Sequence, residues 1–151
     1  PKYHDEQDCA QILLQLYNYK GTVHSYNKDI TEAIKQFMTA VRIAKEVNMK
    51  TEVVNEYNYA LLMALKKDRL TYEPILNEAF EYGYSFSDED LKIINLSFIA
   101  STYLDKTYSL DSSKRDEISK RMSDLYGEDW QLSTKELAAK LDAEYSLRNQ
   151  K

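Results

Sequence analysis

Apolar residues recur along this chain at intervals of three and four, with polar residues between them. The spacing predicts helices over 8–20, 30–47, 51–67, 72–82, 88–105, 114–126 and 134–148, and no strand. The first carries Ile12, Leu13, Leu16 and Tyr17, with Gly21 near its end or at a close helix contact. The second carries a sustained stripe of Ile30, Ile34, Phe37, Met38, Val41, Ala44 and Val47. Residues 51–67 are apolar nearly all round (Val53, Val54, Tyr57, Ala60, Leu61, Met63, Ala64, Leu65), which predicts an inner helix. The 88–105 stretch, with Leu91, Ile93, Ile94, Leu96, Phe98 and Ile99, also reads as an inner helix. Residues 134–148 put Leu137, Ala138, Leu141 and Tyr145 on one side and charge on the other, as an outer, terminal helix does.

Helix starts and stops are marked. Asp29 with Glu32, Ser87 with Asp90, Ser113 with Asp116 and Ser133 with Glu136 are spaced as N-terminal caps. Pro74 suits the first turn of the fourth helix, Gly83 the position past its end, and Gly127 the end of the sixth. The breaks between helices are too short to be domain linkers, so residues 1–151 are expected to form one domain.

One packing signature stands out. Gly21 is followed by Ala33, Phe37 and Ala40, the last three on one helical face. Small residues let two helices approach, and one ring fills the gap between them. Aligning Gly21, Ala60 and Ser97 as the small residue of successive helix pairs gives offsets of 39 and 37. An amide recurs nearby: Asn18, Asn58 and Asn95.

This pattern resembles the tetratricopeptide repeat (TPR), whose unit of about 34 residues is a helix–turn–helix. Tyr17, Gly21, Ala33, Phe37 and Ala40 match the family's pattern in the first unit. His24 stands where the family has Tyr, Lys20 where it prefers Leu, and the terminal Pro is absent. In the second unit Ala60 and Ala79 match, Leu76 replaces the Phe and Tyr72 the first Ala. The third keeps mainly its first helix. The resemblance implies an all-α fold of helix pairs over 8–47, 51–83 and 88–126. It further implies a right-handed superhelix closed by a capping helix at 134–148. It also implies a concave groove lined by the first helix of each pair. There Asn18, Asn58 and Asn95 would hold the main chain of an extended ligand, and Tyr19 and Tyr57 would pack its side chains. A clamp for a terminal carboxylate is not expected, since Lys20 and Lys92 do not compose one.

Composition narrows the partners. The 151 residues carry a net charge of −5, which disfavours direct nucleic-acid binding by this segment. No apolar run approaches the roughly 18 residues of a membrane span, and no signal peptide is visible, so a cytoplasmic setting is the default. Absence of Met before Pro1 suits either a processed chain or a fragment of a longer one. Cys9 is the single cysteine, so no internal disulfide forms, and it reads as a buried helix residue. His4, Asp5 and Cys9 match no zinc spacing, and His24 reads as a packing residue. The Asp88-Glu89-Asp90 cluster lacks a calcium-loop pattern and suits a helix N-terminus. No nucleophile–base pair, phosphate loop or dinucleotide motif is present, so neither catalysis nor a cofactor or metal is expected.

Two functions compete. The first is a protein-interaction module binding a peptide or extended protein segment. It would be either the regulatory half of a bacterial peptide-sensing regulator, which Phe37–Glu46 resembles in style, or a small acidic chaperone or adaptor. The second is a helical dimerisation or scaffold domain, which would make the chain a homodimer without a groove ligand.

Overall fold

A computed structural model describes residues 2–107 and 109–132, with 136, 139 and 143, and side chains from Glu6 onward. The described residues are helical and contain no strand, so the fold is all-α. Seven helices run α1 (Lys2–Tyr26), α2 (Ile30–Glu46), α3 (Lys50–Leu65), α4 (Arg69–Tyr84), α5 (Asp88–Ile93), α6 (Ser97–Lys106) and α7 (Ser112–Tyr126). A further helical stretch opens at 130–132. The predicted capping helix, with Ser133 and its apolar set, lies outside the described residues except at isolated positions. The chain divides into two compact units, residues 1–75 and 76–151, with the boundary inside α4.

In the first unit α2 lies antiparallel to both neighbours. Gln7 Nε2 donates to Val47 O at 3.4 Å, near one end of the α1/α2 pair, and Gly21 meets Phe37 near the other. Lys67 Nζ bonds Thr31 Oγ1 at 2.6 Å, joining the end of α3 to the start of α2. α1 and α3 therefore run in the same direction. Ala33, Phe37, Ala40, Val41 and Ala44 of α2 are buried with Val53, Tyr57, Ala60, Leu61 and Ala64 of α3. The small-residue signature is a real contact. A Cβ on Gly21 would stand 2.7–2.8 Å from three Phe37 ring carbons, so only glycine admits that ring. Gly21 thus lies inside α1, which runs on to Tyr26.

Two turns in this unit are alike. Met49 N bonds Ala44 O at 2.9 Å and Asn48 N bonds Lys45 O at 3.1 Å; Asp29 N bonds His24 O at 2.9 Å and Lys28 N bonds Ser25 O at 3.1 Å. Each pair makes a Schellman motif, with Asn48 and Lys28 in the left-handed region at φ 59° and 62°. Asp29 then caps α2 by accepting from Glu32 N, as its spacing predicts.

From α4 onward the chain departs from expectation in three places. α4 begins at Arg69, so Pro74 lies inside it and the bond from position 74 to the Leu70 carbonyl cannot form. Asp68 starts that helix instead, accepting from Thr71 N and Oγ1 at 2.9 and 2.6 Å. Gly83 is likewise inside α4, where a Cβ would sit 2.2 Å from Leu96 Cδ1. Finally, the predicted 88–105 helix is broken at 94–96. Asn95 Oδ1 accepts from Ser97 N at 2.8 Å, offering the backbone a turn in place of a helical bond. The Tyr126 hydroxyl fills the break, 2.8 Å from Leu91 O and 3.1 Å from Ile94 O, and accepts from Leu96 N at 3.1 Å.

α7 serves the ends of other helices. Asp111, not Ser113, caps it by accepting from Lys114 N. Arg121 donates to Tyr84 O and Phe86 O, both at 2.8 Å, and pairs with Asp88 at 3.0 Å. Arg115 donates to Leu104 O at 2.8 Å and to Thr107 O. Guanidinium groups suit such helix C-termini, where carbonyls are unpaired and the dipole is negative. Ser87 and Gly127 cap as their positions predict.

Candidate functional site

Each unit forms a concavity among the described residues. The first lies between the parallel helices α1 and α3 and encloses about 490 Å³. Its α1 wall is Gln11, Leu14, Gln15, Asn18, Tyr19 and Thr22; its α3 wall is Glu52, Asn55, Glu56 and Tyr59. Positions 11, 15, 18 and 22 share one side of α1 because they are spaced by four and three. The Gly21–Phe37 contact also shapes this groove. The Phe37 ring stacks on Tyr59 at 5.4 Å between centroids, holding one groove wall against the core.

A carboxylate forms part of the floor. Glu56 is only 3% exposed, and Asn18 Nδ2 donates to its two oxygens at 2.8 and 3.0 Å. Burial raises its pKa from 4.5 to about 7, against the opposing effect of the Asn18 hydrogen bond. The lining carries no Lys, Arg or His.

The second concavity, about 320 Å³, lies in the other unit among Phe80, Tyr84 and Tyr103, with Leu110, Lys114 and Ile118. Its wall is an aromatic stack, Phe80 on Tyr103 at 3.8 Å and on Tyr84 at 5.0 Å.

Of the five predicted groove residues, Asn18 and Tyr19 line the α1/α3 groove. Tyr57 does not. It is fully buried, with Lys45 Nζ 5.0 Å from its ring centroid, because its position on α3 turns it into the core. Asn58 is half-buried away from the groove lining, two residues and so about 200° around the helix from Glu56. Its Oδ1 is sealed from solvent without a hydrogen-bond partner among the described residues. Asn95 is exposed in the α5/α6 break and starts α6 instead of standing mid-helix. Cys9 corrects another expectation: it is exposed on α1. His24 Nδ1 lies 4.0 Å from Asp29 at the α1–α2 turn. Among the described residues, no three His, Cys, Asp or Glu side chains are grouped to hold a metal, and no helix is long and apolar enough to cross a membrane.

Sequence reasoning missed Gln15, Glu52, Asn55 and Glu56. The available signal was Glu52 with Glu56, one turn apart and charged on a helix otherwise apolar nearly all round. No family model, curated protein or solved structure matches the chain.

Proposed function

We propose that this chain is a non-catalytic, TPR-like interaction module that holds an extended peptide or protein segment in the α1/α3 groove. The groove's composition carries this reading. It combines five uncharged polar side chains (Gln11, Gln15, Asn18, Thr22 and Asn55) with two partly exposed tyrosines, Tyr19 and Tyr59. Amides donate and accept at once, as peptide main chain requires, and tyrosine gives contact area at low entropic cost. The Gly21–Phe37 helix pair supports the likeness to tetratricopeptide repeats. A regulatory domain sensing a peptide, or an adaptor for an unfolded segment, would use such a groove.

The test is selection of binders from a random peptide library with the full chain, followed by calorimetry on the Gln15→Ala/Asn55→Ala variant. Both side chains are exposed, so folding should persist. Affinity at least about tenfold weaker, equivalent to about 1.4 kcal/mol, is the expected result. Undiminished binding by the folded variant would move the site elsewhere.

One observation favours the homodimer as a second reading. Cys9, Ile12, Leu16, Tyr19, Val23 and Tyr26 alternate at steps of three and four along α1, and all six are exposed, Ile12 to 69% and Tyr19 to 68%. That is the seam of a two-helix coiled coil. Sedimentation would detect a dimer that Leu16→Glu/Val23→Glu dissolves. A chain monomeric at high concentration would exclude this reading.

A further inference from the structure

The position of Glu56 narrows what the groove accepts. A buried carboxylate is costly, and natural interiors keep one when it is paired. Here Asn18 satisfies one site on each oxygen, and among the described residues no other hydrogen bond reaches them. If Glu56 served only to link α3 to α1, a glutamine would make the same link without the desolvation cost. A second carboxylate, Glu52, lines the groove one helical turn away, with Tyr19 and Tyr59 on opposite walls. Tyr59 is 47% exposed and its ring is held by Phe37, so an aromatic face is offered at the groove.

Two carboxylates and two aromatic rings, with no cation among the lining residues, complement a guanidinium. One of its N–H groups can take a Glu56 lone pair that Asn18 leaves open, another can meet Glu52, and its face can meet a tyrosine ring. Taking the groove as a peptide site, we infer that its occupant is a segment carrying a basic side chain, arginine above lysine. Glu56 is its anchor, Glu52 a second acidic contact, and Tyr19 and Tyr59 its walls.

The anchor makes binding dependent on protons. Glu56 must be ionised to hold a cation, and its pKa is raised to about 7. Glu52 is the other titratable group of the lining apart from the tyrosines. α1 brings no charged side chain to the lining and α2 brings no residue to it, while Lys45 of α2 lies over the Tyr57 ring. Affinity therefore rises with pH and levels off above about 7. Below that, binding releases up to one proton.

A random heptapeptide library panned at pH 7.5 on the full chain, wild type and Glu56→Gln in parallel, tests this. The expected result is Arg or Lys at one fixed position of the wild-type peptides, and no such enrichment with Glu56→Gln. The leading peptide, resynthesised with citrulline in place of arginine, should bind wild type about 10–100-fold more weakly. Calorimetry at pH 6 in two buffers of different ionisation heat should register the released proton. The citrulline arm leaves the protein unaltered, so a folding defect in Glu56→Gln cannot mimic the result. Peptides selected without a basic residue, or bound equally by both proteins, would overturn the cation anchor and leave the peptide groove standing. No peptide above background would overturn both.

Discussion

At the scale of single residues, Gly21 and Glu56 shape the groove in different ways. Gly21→Ala would gain about 1 kcal/mol of helix propensity. The new Cβ would collide with a Phe37 ring that is buried and stacked on Tyr59. Overpacking of this kind costs about 1–3 kcal/mol, so the net change should be a loss of up to about 2 kcal/mol, read by thermal or urea melting. Glu56 acts through pH. Its folded pKa of about 7 exceeds the ordinary 4.5, so the folded state holds the proton more tightly. The stability this confers is complete below about pH 4.5. It is lost as pH rises to about 7 and stays lost above that, a change on the order of 3 kcal/mol. Melting of Glu56→Gln across pH 4–8 should show a flatter profile, with the variant the more stable at pH 8. Parallel profiles would contradict this. Gly21 was legible in the sequence because helix contact demands a small residue opposite a ring. Glu56 was not, since a helix carboxylate is usually solvated even where its neighbours are apolar, and the local spacing does not show that α1 packs over it.

At the scale of elements, local spacing gave the helices and their caps at Asp29, Ser87 and Gly127. It failed where a side chain competes with the backbone. The apolar run through Ile93, Ile94 and Leu96 reads as one helix, yet Ile93 is 82% exposed, and the chain breaks beside it. What satisfies the break is Tyr126, about thirty residues away, and no local pattern reveals that. Tyr126→Phe would strand the Leu96 N–H and leave the Leu91 and Ile94 carbonyls without their donor. A loss of about 1–3 kcal/mol is expected, with amide exchange at 91–97 quickened more than in α2. The α1–α2 turn offers the opposite case. Lys28 holds φ 62° in a Schellman motif where glycine is the usual occupant. Lys28→Gly should relieve about 1–2 kcal/mol of backbone strain against a smaller entropic loss, giving a net gain of about 0.5–1 kcal/mol in melting.

For the whole molecule, analogy between helix pairs is a weaker guide than the packing of each pair. Tyr57, Asn58 and Asn95 were assigned to a groove by analogy between units. Helical phase sends Tyr57 into the core, and the 94–96 break removes Asn95 from a helix altogether. Asn18 and Tyr19 line the groove that does form, together with polar residues that periodicity alone treats as surface. The net charge of −5 and the acidic floor of that groove agree in sign. Both favour basic ligands and disfavour phosphate backbones.

The most direct measurement is an amide chemical-shift titration of the full, isotope-labelled chain with a library-selected peptide. The account predicts that the largest shifts, and those of the Asn18 and Asn55 side-chain amides, cluster at 11–22 and 52–59. Shifts centred instead on Phe80, Tyr103 and Ile118, or spread without a centre, would contradict it.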